Sequence, residues 1–546
     1  GDWERAFLAV PSASSAREHL RYITSRPHVA GTAGDFHMAE YVRSRMASYG
    51  LDSRVENLTV LLNYPTAPPE LTLLRDAGDR PIDLAEPVLE FDRTSDTPWR
   101  NHTFHGYAPS GTAVGPLVYA NYGRPQDFEV LRRQGVDVTG KLVLVRYGKC
   151  FRGLKVRNAQ THGAAGVLIY SDPGDDGYAQ GAPYPGGPWR PPRGVQRGSV
   201  QFNSLCGGDP ARAAGPSSVE EICGFKQEEL IPKIPSIPLS YSSAQELLEL
   251  LGGHAAPHDF QGALPLNYTL GPSAFRLRLR TQHMELRTPI PNVITTIPGR
   301  SAQERPVILG NHRDAWVYGA ADPNSGTASL LELARGFGQL RSAGWQPART
   351  VILCSWSGEE YGLLGSTGWG ERHAALVSNA VAYLNVDESV TGDRLKAGGT
   401  FALRDLFASA AGAVDAPGGR GRLAAEPWGP LGSGSDYAVF LDHLGVASMD
   451  FQFARAGADG KLATYGQYHS VYDSFDWMEA YGAGGAGAGQ RGLAFEYMRA
   501  AGRLWGVVAL RLADAVVLPF NHSAQAEALE AWREHLAARE PALDTG

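Results

Sequence analysis

Three apolar runs in the second half of the chain each stop close to a side chain of a type that binds metal ions. The runs Val307–Leu309, Val351–Trp356 and Val381–Val386 are short and mostly apolar, which is typical of strands buried on both faces of a parallel sheet. Acidic side chains directly after buried strands are costly unless they are paired or bind a cation. The polar side chains that follow these runs are His312, Glu359 with Glu360, and Asp387.

A helix is predicted between the first two runs. Ser325–Leu340 has apolar residues at helical spacing, and we expect Asn324 to be its N-cap. Strand, helix and strand form a βαβ unit, and in an open α/β sheet ligands gather at the carboxyl ends of the strands. The sequence therefore predicts one crevice that gathers five side chains, which are His312, Asp322, Glu359, Glu360 and Asp387.

The chain changes its pattern twice along its length. At 546 residues it is too long for one hydrophobic core. Residues 63–287 alternate short strand patterns with turns rich in Gly and Pro, whereas the flanking parts have the βαβ pattern. We predict an α/β protein in which residues 1–62 and 288–520 form a mixed sheet flanked by helices. Residues 63–287 form an inserted, mostly β domain, and residues 521–546 begin a further helix.

Charge and hydropathy exclude two classes of partner. A net charge of −7 and a sequence pI near 6.1 argue against nucleic acid. The most apolar stretch, Trp505–Phe520, is interrupted by Arg511 and Asp514, so we expect a buried helix rather than a membrane span. The sequence starts at Gly1 without Met, which we interpret as a fragment or processed form, and a membrane anchor upstream stays an open alternative.

Sequons and cysteines favour the secretory pathway, in an extracellular or lumenal location. Cys206 and Cys223 share a loop-rich region and could form a disulfide. Cys150 and Cys354 lie in strand-like runs and are expected to be buried thiols. The four sequons, which predict a glycoprotein, begin at Asn57, Asn101, Asn267 and Asn521.

The side chains of the predicted crevice suit a pair of divalent metal ions. Such a site needs several nitrogen or oxygen ligands, one of them able to bridge, and a carboxylate left free as a base. The adjacent Glu359 and Glu360 meet the last condition, because neighbouring side chains of an extended turn point apart. Tyr468-His469-Ser470 offers a second imidazole. Nitrogen and oxygen ligands without cysteine favour zinc, with manganese and cobalt as alternatives.

Each of these motifs alone has a simpler interpretation. A His-x-Asp or Glu-Glu pair is usually a solvated surface feature, and Asp-Pro-Asn-Ser-Gly is most often a turn. The order of the motifs and their position after buried strands favour the metal site over these alternatives.

In combination the motifs resemble the glutamate carboxypeptidase II (prostate-specific membrane antigen) family of di-zinc exopeptidases. The resemblance covers nearly the whole chain, including Arg26-Pro-His-Val-Ala-Gly-Thr and Arg146-Tyr-Gly-Lys-Cys-Phe-Arg-Gly. It implies that the insertion is a protease-associated (apical) domain. The motifs that carry the resemblance are Gly310-Asn-His-Arg-Asp-Ala-Trp, Ala321-Asp-Pro-Asn-Ser-Gly, Ser357-Gly-Glu-Glu-Tyr-Gly-Leu-Leu-Gly-Ser, Leu384-Asn-Val-Asp and Tyr468-His-Ser-Val-Tyr-Asp.

The resemblance implies two zinc ions per chain and a role for each side chain near them. Asp322 would bridge the ions, and Glu359 would be the general base. Tyr468 would donate to the oxyanion, and Asp314 would orient His312. The implied metal ligands are His312, Asp322, Glu360, Asp387 and His469.

The resemblance also implies contacts to a short peptide substrate. Arg152 of the inserted domain would hold a substrate carboxylate, a task that suits a bidentate guanidinium, although a surface salt bridge is the alternative. Ser199 replaces a family asparagine, and Met449-Asp450-Phe451-Gln452 replaces a segment with arginines that grips an acidic side chain. The further implied contacts are Gly362, Leu363, Ser433, Gly434 and Ser435.

These departures leave the direction of cleavage open. The resemblance implies a carboxypeptidase, whereas Asp450 would attract a substrate amino terminus and favour aminopeptidase or dipeptidyl-peptidase activity. A non-catalytic binding protein like the transferrin receptor, which shares the fold, is an alternative of another class. That branch loses metal ligands, and this sequence keeps all five together with the base.

Two further family features are doubtful in this sequence. The structural calcium site lacks one glutamate, replaced by Gly368, although Glu371 remains. The family forms homodimers through a C-terminal helical domain, of which residues 521–546 contain the first helix alone. We therefore expect that domain to be largely absent, with calcium and dimerisation both in doubt for this chain.

Overall fold

A seven-stranded path forms the main sheet of the computed structural model, which describes residues 2–76, 78–212, 218–301, 304–484 and 490–540. The four central strands of this path are parallel to one another, and each outer strand pairs antiparallel with its neighbour, so the sheet is mixed as predicted. In spatial order the strands are Asp52–Pro65, His283–Ile297, Val351–Trp356, Val307–His312, Ala382–Asn385, Ser448–Ala456 and Arg394–Gly399, and Leu462–Ala463 pairs with Ser448–Ala456.

The central strands alternate their side chains between two buried faces. Leu309 and Leu353 point into the larger core, while Ile308 and Ile352 point into a core on the opposite face. Burial on both faces explains why these strands are almost wholly apolar in the sequence.

Helices cover both faces of the main sheet. On the larger core, Ala13–Ile23, Asn324–Ser342 and Leu493–Asp514 pack against one another. The remaining helices of this domain are Asp2–Leu8, Ala33–Ser48, Glu359–Gly362, Leu364–Arg372, Ala374–Val377, Arg404–Ala411, Phe475–Tyr481 and His522–Arg539, with a π-helical turn at Val439–His443.

The predicted cap of the central helix is wrong. The helix begins at Asn324, so that Pro323 is the N-cap and no side chain caps the helix. The Asn324 side chain instead donates to the carbonyl of Tyr318 and lies 2.8 Å from Nε2 of His28. The Asn324 side chain therefore makes tertiary contacts instead of the capping hydrogen bond that the sequence predicted.

A long two-stranded ribbon joins the inserted domain to the main sheet. Asp52–Pro65 pairs antiparallel with His283–Ile297 from Asp52 opposite Thr296 to Pro65 opposite His283. The predicted domain junctions at residues 62 and 288 fall inside this ribbon. The chain therefore enters and leaves the insertion through paired strands of the peptidase sheet rather than through unpaired linkers.

The inserted domain has its own core between two four-stranded sheets. One sheet is parallel and contains Ser236–Leu239, Gly166–Tyr170, Leu142–Arg146 and Leu117–Tyr119. The other is antiparallel and contains Arg80–Pro81, Glu70–Leu74, Arg276–Thr281 and Gly111–Gly115. A short pair joins His105–Gly106 to Gly198–Ser199. Its helices are Pro125–Arg133, Arg152–Thr161, Pro173–Asp176, Val219–Cys223 and Tyr241–Glu249.

Cysteine usage agrees with the sequence in three of four positions. Cys206 and Cys223 form a disulfide, the pairing that the sequence left open, and disulfides are typical of an oxidising compartment. Cys354 is a buried thiol as expected. Cys150 is only half-buried, because its strand ends at Arg146 and the cysteine lies in the loop that follows.

Two predictions concern the end of the chain and membranes. The helix His522–Arg539 begins the region 521–546, of which residues 541–546 lie outside the described part. Among the helices that the structure describes, none has the length and apolar character that a membrane span needs. The apolar stretch around Trp505 instead belongs to the buried helix Leu493–Asp514.

Candidate metal centre

The carboxyl ends of the central strands bring the predicted metal ligands together. His312 is the last residue of its strand, and Glu359 and Asp387 follow shortly after the neighbouring strands on either side. Because these three strands are parallel and adjacent, their ends meet at one edge of the sheet. The site is therefore a direct product of the strand order.

One donor set consists of His312, Glu359 and Asp387. The Nε2 atom of His312 lies 2.9 Å from Oδ1 of Asp387 and 3.6 Å from Oε2 of Glu359. The ligand atoms of the set all lie within 4.8 Å of one another, which is close enough for one ion to contact them together.

A second donor set consists of Asp322, Glu360 and His469. The Nε2 atom of His469 lies 3.0 Å from Oδ2 of Asp322 and 3.1 Å from Oε2 of Glu360. The other oxygen of Asp322 lies 3.5 Å from Nε2 of His312. Asp322 thus lies between the two sets, which is the position that a bridging carboxylate needs.

Both imidazoles present the same nitrogen to the carboxylates. Nδ1 of His312 lies 3.0 Å from the carbonyl oxygen of Asp314, and Nδ1 of His469 lies 3.1 Å from that of Arg197. A carbonyl can only accept, so each Nδ1 carries a proton and each Nε2 is the nitrogen that faces the carboxylates. A lone pair at that position would repel the carboxylates, so a proton or a metal ion belongs between them.

The electrostatics of the site also suit cations. Burial raises the pKa of Glu359 and of Glu360 well above the ordinary value, and neighbouring carboxylates add to the effect. Oε1 of Glu360 is buried and has no hydrogen-bond partner in the described structure. Burial lowers the pKa of His312, but Asp387 and Glu359 overcome this and raise it well above its usual range. The excess of buried negative charge and the free oxygen both fit bound metal.

Asp314 orients the Glu359–Glu360 turn as well as His312. Its two carboxylate oxygens accept the backbone N–H groups of Glu359, at 3.1 Å, and Glu360, at 3.3 Å. Oδ1 of Asp314 also lies 3.6 Å from Nδ1 of His312. One buried carboxylate therefore connects two of the strand ends that carry ligands.

A cavity of about 210 Å3 opens onto the two donor sets. Among the predicted substrate contacts, Gly434, Ser435 and Asp450 line it. The hydroxyl of Ser435 donates to Oδ2 of Asp387 at 2.6 Å, and Oδ1 of Asp450 accepts from Asn385 at 2.9 Å. Ser435 thus orients a ligand in addition to facing the cavity.

Four other predicted substrate contacts, which are Ser199, Gly362, Leu363 and Ser433, do not line this cavity. The hydroxyl of Ser199 is buried and donates to the carbonyl of Tyr361 at 2.8 Å. Gly362 and Leu363 have positive φ angles of 141° and 63°, so they form the sharp turn between two short helices. Ser433 is half-buried in the loop before Ser435.

A larger cavity of about 500 Å3 adjoins the metal centre and has Arg152 in its wall. Nη2 of Arg152 lies 3.4 Å from the hydroxyl of Tyr468, and Tyr468 lines both cavities. Burial raises the pKa of Tyr468 well above its usual range, so its hydroxyl keeps its proton. The inserted domain therefore contributes a cation beside the candidate centre.

Sequence reasoning missed three polar residues that the two cavities share. Glu388, Lys396 and Gln452 line both, and Nε2 of Gln452 donates to Glu388 at 3.2 Å. Glu388 directly follows Asp387, which is a signal that was present in the sequence. Lys396 gave no such signal, because it lies on an antiparallel strand far from every motif.

The position of the doubtful calcium site contains an ion pair. Glu371 accepts from Nη1 of Arg212 at 2.9 Å, and both side chains are largely buried. The arginine supplies positive charge beside the remaining glutamate, and the doubt about calcium stays a prediction.

Comparison with known proteins identifies the family. The sequence model of Peptidase family M28 matches residues 292–488, and that of the PA domain matches residues 113–201. A probable glutamate carboxypeptidase LAMP1 of Arabidopsis thaliana is 40% identical over 548 residues, which cover 96% of this chain and 75% of that protein. The aminopeptidase NAALADL1 of Mus musculus is 37% identical over 581 residues, which cover 98% of this chain and 75% of that protein.

Solved structures share the fold. An aminopeptidase from Aneurinibacillus sp. strain AM-1 has a TM-score of 0.57 at 18% identity, over 94% of this chain and 97% of its own. The zinc aminopeptidase BSAP from Bacillus subtilis has a TM-score of 0.56 at 17% identity, over 92% of this chain and 95% of its own. On the strength of the sequence relatives, the chain belongs to peptidase family M28, a family of zinc exopeptidases whose members similar to this chain are named glutamate carboxypeptidases and aminopeptidases.

Proposed function

We propose that this chain is a di-zinc carboxypeptidase that removes the C-terminal residue of short peptides. The observation that supports this direction is the environment of Arg152. Its side chain is 8% exposed, lines the larger cavity, and makes no ion pair within 4.0 Å with a carboxylate of the described residues. Its Nε also has no hydrogen-bond partner there. A buried guanidinium without a carboxylate is costly, and the α-carboxylate of a peptide is a bidentate partner of the right charge.

In this proposal each donor set would hold one zinc ion, and Asp322, which lies between the sets, would contribute an oxygen to each. His312 and Asp387 would bind one ion, and Glu360 and His469 would bind the other. Zinc, when bound, lowers the pKa of a coordinated water toward about 7 and polarises the scissile carbonyl. The nitrogen and oxygen donors suit zinc by type, and the absence of cysteine from both sets makes manganese or cobalt chemically acceptable substitutes.

Glu359 is the proposed general base. Its carboxylate lines the smaller cavity, and its Oε2 lies 3.6 Å from Nε2 of His312, compared with 2.9 Å for Oδ1 of Asp387. It would take a proton from the attacking water and deliver it to the leaving amine. The carboxylic acid formed in the first step is the proton donor for the second.

Tyr468 and Arg152 complete the proposed chemistry. The Tyr468 hydroxyl keeps its proton and lies beside the ligand His469, so it can donate to the oxyanion that develops on the scissile carbonyl. Arg152, 3.4 Å from that hydroxyl, would fix the substrate through its carboxylate. Such fixation places the bond to be broken next to the metal centre.

The test compares peptides that differ only at their C-terminus. Purified chain is loaded with zinc, and hydrolysis is measured for a set of peptides with free or amidated carboxyl ends. We expect free-carboxyl peptides alone to be cleaved. Arg152→Gln should lower kcat/KM for them by about 100-fold, because a hydrogen-bonded charge contact is lost.

The matched control is Lys149→Gln, which removes one positive charge from an exposed position three residues before Arg152 that does not line the larger cavity. It should leave kcat/KM unchanged. Equal cleavage of amidated peptides would contradict the carboxypeptidase proposal. A zinc-loaded preparation that contains no metal after dialysis would contradict the metal site itself and favour a non-catalytic binding protein.

Aminopeptidase activity is the second candidate, and two observations favour it. Carboxylates of Asp450 and Glu388 line the smaller cavity, where they would attract a substrate amino group. NAALADL1 relatives of mouse and rat, at 37% and 36% identity, are named aminopeptidases. Cleavage of peptides with free amino ends, lost on N-acetylation and reduced by Asp450→Asn, would establish this alternative over the first.

We also propose that the protein works in the secretory pathway on short peptides. The Cys206–Cys223 disulfide supports an oxidising compartment, and the four sequons supply sites for glycans. Homodimer formation stays a prediction from family resemblance. Size-exclusion chromatography with light scattering, before and after glycosidase treatment, tests both points on the same sample.

A further inference from the structure

A second buried carboxylate repeats the arrangement of Asp314 on the other side of the centre. Oδ1 of Asp473 accepts the backbone N–H of Ala321 at 2.8 Å, and Oδ2 accepts that of Asp322 at 3.2 Å. The backbone carbonyl of Asp473 also accepts the N–H of Ala320 at 3.1 Å. Asp473 therefore binds three consecutive residues that lead to the ligand Asp322.

The segment that Asp473 holds has no regular structure of its own. Residues 313–323, between the strand Val307–His312 and the helix Asn324–Ser342, form neither strand nor helix. No ladder or helical turn thus fixes the N–H groups of Ala321 and Asp322. Because the backbone orientation at Asp322 sets the direction of its side chain, the carboxylate of Asp473 decides where that ligand points.

Asp322 is the ligand for which this direction matters most. Its two oxygens lie 3.5 Å from Nε2 of His312 and 3.0 Å from Nε2 of His469, so it is shared by both donor sets. A small rotation would lengthen one of these distances and shorten the other. Bonds to two adjacent N–H groups fix the backbone from which the Asp322 side chain extends, so the backbone cannot contribute to such a rotation.

Asp473 is itself oriented by Tyr465. The hydroxyl of Tyr465 donates to Oδ2 of Asp473 at 2.7 Å, and both side chains are buried. Among the described residues no cation lies within ion-pair distance of Asp473. Three hydrogen bonds, two from backbone amides and one from the hydroxyl, therefore hold this charge in place.

We propose that Asp473, fixed by Tyr465, is a positioning residue that sets Asp322 as the ligand shared by both metal ions. The inference rests on the proposed two-metal site, since its readout is metal binding. Removing the Tyr465 hydroxyl should leave Asp473 free to turn. The metals should then bind more weakly and in altered geometry, although no ligand has been changed.

The experiment compares two tyrosine substitutions in the full chain. Tyr465→Phe removes the hydroxyl that holds Asp473. Tyr472→Phe, the matched control, removes a buried hydroxyl from the same segment, which donates at 2.6 Å to the carbonyl of Pro87 and makes no contact with Asp473 or Asp322. Both changes delete one buried hydrogen bond, so a general loss of stability should affect both alike.

Zinc affinity is measured by competition with a chromophoric chelator, and the visible absorption spectrum is recorded after loading with cobalt(II). We expect Tyr465→Phe to weaken zinc binding by about tenfold and to change the cobalt spectrum, while Tyr472→Phe matches the parent chain in both. Asp473→Asn should weaken binding by about 100-fold, because its amide group cannot accept an N–H through nitrogen. In the Tyr465→Phe enzyme kcat should fall with little change in KM.

Equal zinc affinities and identical cobalt spectra for the two tyrosine variants would overturn the proposal, whether or not Asp473→Asn folds. An equal loss of zinc affinity in both tyrosine variants would also overturn the proposal, since it would reflect a general loss of stability. A parent chain that binds zinc while the two variants do not differ rejects the positioning role and leaves the two-metal site standing. A parent chain that binds no zinc rejects both.

Discussion

The two walls of the cleft differ in how their charged groups are held. On the side of the metal centre, Nδ1 of each imidazole donates to a backbone carbonyl, that of Asp314 or Arg197, and Asp387 accepts from the hydroxyl of Ser435. On the cavity side, the cations Arg152 and Lys396 make no ion pair within 4.0 Å in the described structure. The side of the metal centre, called the first wall, is held by hydrogen bonds within the protein before any ligand binds. The cavity side, called the second wall, carries positive charges that a substrate carboxylate can neutralise.

This difference separates two requirements of the proposed chemistry. Metal ligands must hold their geometry to within a fraction of an ångström, which demands further hydrogen bonds behind each of them. Charged groups that select a substrate must instead lack an ion-pair partner in the protein, because a charge that is already paired attracts a substrate only weakly. The comparison predicts large effects for changes on the first wall and smaller, substrate-dependent effects on the second.

Removal of the metals should have the largest effect, because the side chains of the first wall are the proposed metal ligands and the groups that orient them. Dialysis against a chelator should abolish hydrolysis and lower the unfolding temperature, because the carboxylates of Asp322, Glu359, Glu360 and Asp387 are then close together without cations. Activity assays and calorimetry before and after zinc is restored check this. Full activity in a sample shown to be free of metal would contradict the proposed role of the site.

The metal-free chain should also depend on pH in a defined direction. Burial raises the pKa of Glu359 and Glu360 well above 4.5, so between that value and their folded pKa the native state binds more protons than the unfolded state. Stability of the metal-free chain should therefore fall as pH rises from 5 toward 8. Thermal unfolding across this range measures the trend, and a zinc-loaded sample, whose carboxylates are neutralised by metal, should show less of it.

Glu359→Gln should have the next largest effect and tests the assignment within the first wall. Loss of the base should lower kcat by about 1,000-fold, while zinc content stays at the parent value. Glu129→Gln, the same change on the exposed helix Pro125–Arg133, is the control. Retained hydrolysis would show that Glu359 is not the base, and loss of one zinc would show that it is a ligand.

Much of the first wall could be predicted because its residues follow buried strands. A short apolar run identifies a strand, the strand fixes where its last side chain lies, and parallel neighbours bring His312, Glu359 and Asp387 to one edge. The mixed sheet and the inserted domain followed from the same changes in pattern. The ligands were therefore encoded in local sequence, even though they lie far apart along the chain.

The errors and omissions share a different cause. Asn324 does not cap its helix because its side chain is bound by the distant His28 and Tyr318. Asp473 was overlooked because its partners lie in a loop without periodicity, more than 140 residues earlier. Lys396 faces the cavities through the alternation of an edge strand, which no motif marks. Tertiary contacts of this kind leave no signal in a single sequence.

Lys396→Gln addresses the second wall and should have a moderate effect. The ammonium group lines cavities of about 500, 210 and 440 Å3 and is exposed, so its charge is partly screened. We expect KM to rise by about fivefold for peptides with an acidic residue before the scissile bond, and little change for neutral ones. Lys461→Gln, an exposed lysine paired with Asp459, is the control. A fall in kcat for all peptides would place Lys396 on the first wall instead.

Replacing Cys206 and Cys223 by serine should have the smallest effect on catalysis while still costing stability. The disulfide joins residues 17 positions apart, and its loss should lower the free energy of unfolding by about 3 kcal/mol. Because neither cysteine belongs to a donor set or lines the two cavities beside the centre, kcat/KM should change by less than about twofold. Denaturant unfolding and steady-state kinetics on the same preparation separate the two quantities.

A tenfold loss of kcat/KM with zinc retained would mean that this loop supports the Gly362–Leu363 turn, which it contacts through the N–H of Gly208 and the carbonyl of Gly362 at 2.7 Å. The disulfide would then support the first wall from the inserted domain, because that turn closely follows Glu359 and Glu360.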